Sequence, residues 1–382
     1  MRILGIETSC DETAVSIIEA TGDWNAGFEY QVLGNALLSQ TIHSHYGGVF
    51  PNLARREHEN NLVPLLEKAL DEAEMLEAGT SSTEEIDEIL HRENDLRPQA
   101  EEFLKTHTRP EIDAIAVTHG PGLEPALWVG VNFARALATA WNLPIVPVNH
   151  MEGHIVLSAI AGKKDENVSF PLLSLLISGG HTELVLSREW MHYELLGQTR
   201  DDAVGEAFDK VARMLNLPYP GGPEIDRLAK RARAEGVESP EQLPRPMIDT
   251  DDYDFSFSGL KTAVKRLVEA QPSITETLQM GIAREFEEAC ADVLVAKTMR
   301  AIEEHNIESL VVGGGVSANE YIRERLAESI KNYGLTTQLL VPPRELATDN
   351  ALMIALAGYF RALKKEFAEP TMVRASGNLK LV

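Results

Sequence analysis

Two distant stretches of this chain share one construction, and that recurrence narrows the possible folds. Arg2 to Glu7 and Thr13 to Ala20 are apolar, β-branched runs separated by the polar Thr8-Ser9-Cys10-Asp11-Glu12. Pro171 to Ile177 and Glu183 to Ser187 again flank a tight turn, Ser178-Gly179-Gly180-His181-Thr182. Apolar runs of this length bounded by turn residues read as antiparallel strand pairs. Exact identities between the two regions are few, so they indicate two lobes of related construction rather than a sequence repeat. A chain of 382 residues is long enough to bury two cores.

Each strand pair is followed by a strand that ends in glycines. A third strand near Tyr30 to Gln40 completes an N-terminal meander. Ile112 to Thr118 then reads as a strand running into His119-Gly120-Pro121-Gly122-Leu123, with an Ala-rich helix over Trp128 to Ala140 and a returning strand over Leu143 to Val148. In the second half, a long amphipathic helix over Thr277 to Glu304 precedes a strand from Leu310 into Gly313-Gly314-Gly315, with Ser317 and Asn319 near a helix start. Glycine turns directly after strands place backbone at the ligand edge of an α/β sheet. Three glycines there allow a purine or ribose to lie against the backbone, with Asn319 able to hydrogen-bond it. The first turn lacks the dinucleotide fingerprint, and no Lys-Ser pair follows the later glycines. Neither a nicotinamide fold nor a Walker-type triphosphatase is expected.

Charge and composition bear on partners. The formal charge is −24, from 35 basic and 59 acidic side chains, which argues against a chain that grips nucleic acid by itself. Residues 71 to 111 carry 13 acidic and 4 basic side chains, a net of −9. The Ala78 to Pro110 part reads as a solvated helical or partly disordered insertion. Cys10 and Cys290 are too few and too far apart for a disulfide scaffold, which fits a reducing compartment. No run reaches the roughly 18 apolar residues of a membrane span, so a cytoplasmic protein without membrane contact is expected.

The chemistry concentrates in Val148-Asn149-His150-Met151-Glu152-Gly153-His154. A strand precedes it and an apolar run follows, so it opens a helix, and four-residue spacing puts His150 and His154 on one face, close enough to share a metal ion. Two imidazoles are an incomplete site. Asp349, in Thr348-Asp349-Asn350 before the apolar helix Ala351 to Phe360, is the candidate third ligand, although it serves equally as that helix's cap. Glu152 lies two residues from each histidine and so falls on the opposite face, unlike the water-activating glutamate of a His-Glu-x-x-His peptidase.

Other polar positions have two readings each. Asp11 and Glu12 either cap a surface hairpin or meet a metal or a substrate amine. His43, His45 and His58 lack a paired spacing and read as loop, cap or channel-lining residues. Asp209 is by itself a surface carboxylate on a helix over Ala203 to Leu215. The Pro218 to Pro223 turn, with Gly221 and Gly222, lets backbone approach a ligand before a helix that starts with Glu224 and Asp226. Asp251 to Lys261 either lines a cleft or packs it, and Gly162 to Asn167 reads as a linker.

Taken together these segments resemble the TsaD, Kae1 and Gcp family, which makes threonylcarbamoyladenosine in tRNA and was once labelled O-sialoglycoprotein endopeptidase. The carriers are Gly5 to Thr13, Val148 to His154, Leu176 to Thr182, Gly205 to Lys210, Tyr219 to Pro223, Phe255 to Lys261, Gly313 to Asn319 and Thr348 to Asn350. The resemblance to a bacterial-type member implies a two-lobed α/β fold like actin and sugar kinases, built from duplicated ribonuclease-H-like domains, with nucleotide and metal between the lobes. It implies a first lobe over 1–147 plus 345–382, a ligand helix and linker over 148–168, and a second lobe over 169–344. His150, His154 and Asp349 would ligate one Fe2+ or Zn2+ ion. Ser178, Gly179 and Gly180 would lie along the phosphate or carbamoyl of threonylcarbamoyl-AMP, and Asp209, Gly222, Asp226 and Asn319 would hold its ribose and adenine. Asp11, with Glu12 second, is the expected proton acceptor. The implied partners are tRNA, a paralogous TsaB-like subunit and a small TsaE-like ATPase. Rival expectations are a small-molecule kinase or ATPase of the same fold and a non-enzymatic nucleotide-switched scaffold. Both leave the histidine pair unexplained.

Overall fold

In the computed structural model, which describes residues 1–162 and 168–382, the chain divides into two compact units. The first comprises Met1–His43, Val49–Leu157 and Asp349–Leu381, and the second Ser44–Gly48, Ser158–Thr348 and Val382. In chain order the first unit holds strands β1 (Arg2–Glu7), β2 (Glu12–Asp23) and β3 (Ala26–Ser39), helices α1 (Pro51–Glu72), α2 (Ile86–Ile89) and α3 (Leu96–Thr106), strand β4 (Ala114–Gly120), helix α4 (Glu124–Trp141) and strand β5 (Ile145–Asn149). Helix α5 (His150–Ala161) begins in the first unit and ends in the second, so the expected separate segment over 148–168 is divided between them. The linker expected at Gly162 to Asn167 lies, after Gly162, outside the described residues.

The second unit continues with β6 (Leu172–Ile177), β7 (Thr182–Glu189), β8 (His192–Gln198), α6 (Val204–Met214), α7 (Gly221–Glu235), α8 (Ser258–Glu269), α9 (Glu276–His305), β9 (Ser309–Gly313), α10 (Glu320–Asn332) and β10 (Gln338–Leu340). Helix α11 (Ala351–Leu363) returns to the first unit.

The two sheets have the same topology. The first runs β3-β2-β1-β4-β5 and the second β8-β7-β6-β9-β10. In each, three antiparallel strands come first, and the next strand adds in parallel beside the initial one, β4 on β1 and β9 on β6. This is the duplicated α/β plan expected from the recurring strand pairs. The parallel pairing has a functional consequence, because it brings the turn after β1 to the same sheet edge as the turn after β4, and the turn after β6 to that after β9.

Burial explains why each element forms where it does. β1 and β2 are apolar on both faces because helices cover both, with Leu4, Ile6, Val15 and Ile17 in the first core beside Leu66 of α1 and Phe133 of α4. α11 seats against β1 at Gly5, where an added Cβ would lie 2.5 Å from the Ala351 carbonyl oxygen and 2.8 Å from the Ala355 nitrogen. That close approach carries Asp349, two residues before α11, to the end of β1. In the second unit, α9 is buried on most of its circumference rather than along one stripe, with Ile282, Phe286, Cys290, Val293 and Leu294 all in one core. Thr275 caps its first turn, accepting from the Leu278 N–H at 3.3 Å.

The acidic insertion departs from expectation. It folds as α2 and α3, and Ile86, Leu90, Leu96, Ala100, Phe103 and Leu104 join the first core with exposures of at most 2%. The spacing Leu96, Ala100, Phe103, Leu104 is an amphipathic helix signal that the surrounding acids obscure. Apart from buried Glu93, its carboxylates occupy the outer face, while its inner face is structural. Replacing Phe103 with Ala is therefore expected to destabilise the first unit by about 3–5 kcal/mol, whereas Glu102→Ala on the exposed face changes stability by less than about 0.5 kcal/mol. Urea unfolding of both variants checks this, and equal stabilities would mean that the insertion is an appendage.

Candidate metal centre and nucleotide-contact turns

His150 and His154 sit one turn apart at the start of α5, with ring centroids 4.7 Å apart and planes at 87°. Asp349 comes to them from before α11. Its Oδ1 lies 3.1 Å from His154 Nε2 and 3.5 Å from His150 Nε2. One ligand atom from each of the three residues falls within 4.8 Å of the others, compact enough to hold a metal ion. The ambiguity over Asp349 resolves in favour of the group, because the neighbouring Asn350 caps α11 by accepting from the Met353 N–H at 3.1 Å.

The other edge of His150 is held by a residue that had no assigned role. Glu7, at the end of β1 and fully buried, places Oε2 3.1 Å from His150 Nδ1 and accepts from the Thr118 hydroxyl of β4 at 2.6 Å. Ser9 Oγ lies 3.2 Å from the same nitrogen. A carboxylate only accepts, so Nδ1 donates to Glu7, and Nε2 is the nitrogen that faces His154 and Asp349. Burial disfavours charge on His150, yet Asp349 and Glu7 outweigh it and hold the imidazole well above its usual range. Burial would likewise raise Asp349, but the His150 charge and hydrogen bonds from both imidazoles hold it well below the usual carboxylate range. The pocket thus favours positive charge at the Nε2 side of both rings. With a buried, oriented imidazole and a carboxylate converging there, the residues fit a divalent ion.

Glu152 points away from this group, as its spacing requires. It is fully buried and forms a two-pronged ion pair with Arg361 of α11, at 2.9 and 2.7 Å. The pair fastens α5 to the helix that follows Asp349.

Asp11 and Glu12 follow the β1 turn and share an electrostatic cluster with Asp349. Burial, then the charges of Asp349 and Asp11, push Glu12 up to about 10. Burial also raises Asp11, opposed by a hydrogen bond with Cys10. His58 shapes this turn: its Nε2 donates to the Cys10 carbonyl at 3.0 Å, and Nδ1 lies 2.7 Å from the Thr13 hydroxyl. Burial drives His58 down to about 4, so it is neutral. His43 is buried with Nε2 2.8 Å from Gln40 Oε1, and His45 is exposed. None of these three belongs to the metal group.

The remaining candidates lie in the second unit: Ser178 to Gly180 and Asn319 follow the carboxyl ends of β6 and β9, and Asp209, Gly222 and Asp226 are on α6 and α7. Ser178 closes its turn by accepting at Oγ from the N–H groups of Gly180 and His181, at 3.3 and 3.0 Å, and its carbonyl accepts from Gly205 N–H at 3.2 Å. Gly314 adjoins this turn with φ +88°, and a Cβ there would come within 2.5 Å of the Ile177 oxygen, so only glycine fits. By contrast, nothing lies within 4 Å of a Cβ added at Gly179, Gly180, Gly222 or Gly315, which leaves backbone open to a ligand. Asp209 is not a free surface carboxylate: its Oδ1 accepts from Gly221 N–H at 2.7 Å and fixes the start of α7. That helix begins at Gly221, earlier than the expected Glu224, with half-buried Asp226 on its second turn. Asn319 caps α10 through Ile322 N–H at 2.9 Å and donates to buried Glu287 at 2.7 Å. Burial raises Glu287 to about 7 despite Arg233 and Asn319. In the 251 to 261 segment, Phe255 and Phe257 are buried in the core, and Asp252 and Asp254 pair with Arg200 at 2.6 and 2.9 Å.

Comparison with known proteins shows the family. The profile of the TsaD family, described as tRNA N6-adenosine threonylcarbamoyltransferase, matches residues 31–90 and 85–356. Proteins of that name from Persephonella marina and Bacillus cereus are 43% and 44% identical over 94% and 93% of this chain, and the matches cover 90% of each relative. A crystal structure of full-length HypF in the phosphate- and nucleotide-bound form is similar in fold, with a TM-score of 0.53 at 14% identity, covering 95% of this chain and 55% of that one. The profile match and the sequence identity along nearly the whole chain place this protein in the TsaD family of tRNA N6-adenosine threonylcarbamoyltransferases.

Proposed function

We propose that this chain transfers the threonylcarbamoyl group of threonylcarbamoyl-AMP to the exocyclic amine of the adenosine 3′ of the tRNA anticodon and releases AMP. The observation that carries the reading is the His150, His154 and Asp349 group with Glu7 behind it, in a chain of this family. A kinase of the same fold would hold magnesium through carboxylates and phosphates and would have no use for two converging imidazoles.

His150, His154 and Asp349 would hold one Fe2+ or Zn2+ ion, since two imidazoles and a carboxylate suit either. When bound, the ion would polarise an oxygen of the donor as a Lewis acid. Glu7 engages Nδ1 of His150, so Nε2 is the nitrogen that would ligate the ion. Ser178, Gly179 and Gly180 are assigned to the phosphate or carbamoyl part of the donor, supported by the open backbone there. Asp209 and Gly222 are assigned to ribose and adenine with Asp226 and Asn319, the last acting together with Glu287. As the new N–C bond forms and the C–O bond to phosphate breaks, the amine loses a proton, which Asp11 accepts. Glu12, held protonated more firmly by its surroundings, is second.

The −24 charge supports a reaction that draws on partners for tRNA affinity, and we assign those roles to a TsaB-like paralogue and a TsaE-like ATPase. No helix among the described residues is long and apolar enough to cross a membrane, and a cytoplasmic site of action fits the tRNA substrate.

The deciding experiment incubates metal-loaded protein with threonylcarbamoyl-AMP and unmodified tRNA, with and without these partners, and analyses the nucleosides. Threonylcarbamoyladenosine is expected, and its absence from the complete system would overturn the proposal. His150→Ala and Asp349→Ala are each expected to abolish metal retention and product. Glu7→Gln keeps all three ligands, so metal affinity should fall only about 10–100-fold, measured by chelator competition. Asp11→Asn should lower kcat on the order of 10²–10⁴-fold with metal content unchanged. A metal loss equal to that of His150→Ala would make Asp11 a ligand instead.

A further inference from the structure

After Met372 the chain forms no further helix or strand among the described residues, so its backbone groups need partners outside regular structure. They find them on the turn that follows β4. Ser376 N–H donates to the His119 carbonyl at 2.8 Å, the Gly377 carbonyl accepts from Gly122 N–H at 3.1 Å, and Leu379 N–H turns back onto the Ser376 carbonyl at 3.2 Å. Gly120 makes room for this crossing: a Cβ there would lie 2.1 Å from the Ser376 oxygen and 2.8 Å from the Leu379 Cβ. The turn beneath is itself tied to the edge that carries the metal group. A Cβ on Gly122 would stand 2.6 Å from the Ser9 carbonyl oxygen, and Ser9 Oγ is 3.2 Å from His150 Nδ1.

From that seat residues 376 to 381 reach the residue before the first histidine of the group. Asn149 is buried at the junction of β5 and α5, and its amide is used at both ends. Nδ2 donates to the Lys380 carbonyl at 3.2 Å, while Oδ1 accepts from Met151 N–H at 2.9 Å. Oxygen and nitrogen cannot exchange places without losing both bonds, so the amide has one orientation. It satisfies a free N–H in the first turn of α5 and joins that turn to the segment beyond Met372. His150 stands between Asn149 and Met151, and its backbone is held from both sides. Outer hydrogen-bond partners act on a metal site by fixing where a ligand atom points. Coordination distances tolerate displacements of only about 0.2 Å, so a small shift of this turn is felt at the ion.

We propose that residues 376 to 381 are a strap that positions the metal-ligand helix through the side chain of Asn149, so that metal affinity depends on the strap being docked. This rests on the reading of His150, His154 and Asp349 as ligands, and it makes Asn149 a positioning residue. Linkage allows a test on the unaltered protein: if docking raises metal affinity, metal must favour docking by the same factor. Loading the full-length protein with Zn2+ is expected to slow deuterium exchange in peptides spanning 374–382, in the parent and not in His150→Ala, while exchange in α10 of the second unit stays as it was. Zinc affinity, measured by competition with a chromophoric chelator, is the second readout. Truncation after Asn378 removes the Lys380 acceptor and Asn149→Ala removes the donor, and each should weaken zinc binding about 10–100-fold. The double variant should lose less than the product of the two, because the truncation then has no side chain to act through. A purely structural segment would lower the urea stability of the metal-free protein and leave zinc affinity and exchange protection alone. Exchange in 374–382 that is indifferent to zinc, parental zinc affinity in both variants, or losses that multiply in the double variant would each overturn the proposal. If the truncated chain does not fold, Asn149→Ala and the exchange measurement on the parent still decide. Zinc binding in the parent that does not depend on His150 would instead overturn the metal reading itself, and this proposal with it.

Discussion

His150 is buried with Glu7 on one ring nitrogen and Asp349 and His154 facing the other. Each part is unfavourable alone: a buried carboxylate without a partner is costly, and a buried imidazolium is equally so. Together they make a site that prefers a positive charge at one spot, and the geometry decides which charge. Glu7 and Ser9 occupy Nδ1, so Nε2 is the nitrogen left to face a cation. The arrangement depends on three backbone segments meeting: the end of β1, the start of α5 and the residues before α11. Gly5 permits that meeting by letting α11 approach β1 more closely than any side chain would allow.

The repeated sheet order extends this logic to the second unit. Parallel addition of β4 to β1 and of β9 to β6 puts two turns at one sheet edge in each half. In the first half the Ser9 carbonyl accepts from Leu123 N–H at 2.8 Å, linking the two turns directly. In the second half Gly314 packs against Ile177 and Ser178. One edge carries side chains suited to a cation, and the other carries open glycine backbone suited to a nucleotide. The same topology thus supports different chemistry because the turn residues differ, as expected when function resides in sites grafted on a fold.

Much of this was legible in the residues. The strand pairs, the glycine turns and the four-residue histidine spacing follow local rules that tertiary contacts do not override, and each has its counterpart in the structure. The unread parts depend on contacts distant in sequence. Glu7 looked like the last residue of a strand, and only the partner 143 positions away on α5 gives it meaning. Asp349 was open to both the cap and the ligand reading until the Met353 N–H chose its neighbour Asn350 as the cap. Asp209 read as solvated because Gly221, which it anchors, lies across a turn. In the insertion, 13 acids over residues 71 to 111 dominated the composition, while the four apolar positions Leu96, Ala100, Phe103 and Leu104 decided the packing.

Glu152 shows how burial and geometry together exclude an activity. Its place between two histidines invites comparison with metallopeptidases, whose glutamate must stand beside the metal-bound water. Here the helix turns it away, and full burial would leave its charge unsupported there. Arg361 supplies the missing charge through both carboxylate oxygens. Burial counts against the guanidinium's charge, but Glu152 and then Glu366 outweigh it and raise Arg361 above its ordinary range. Arg361 therefore stays ionised, and Glu152 is committed to it and turned away from the far side of α5. Its contribution is to hold α5 against α11 so that the imidazoles on one helix and the carboxylate before the other keep a common focus. The residue that resembles a catalytic base is a fastening; of the other carboxylates, Asp349 faces the Nε2 edge of both histidines and Glu7 holds the opposite edge of His150.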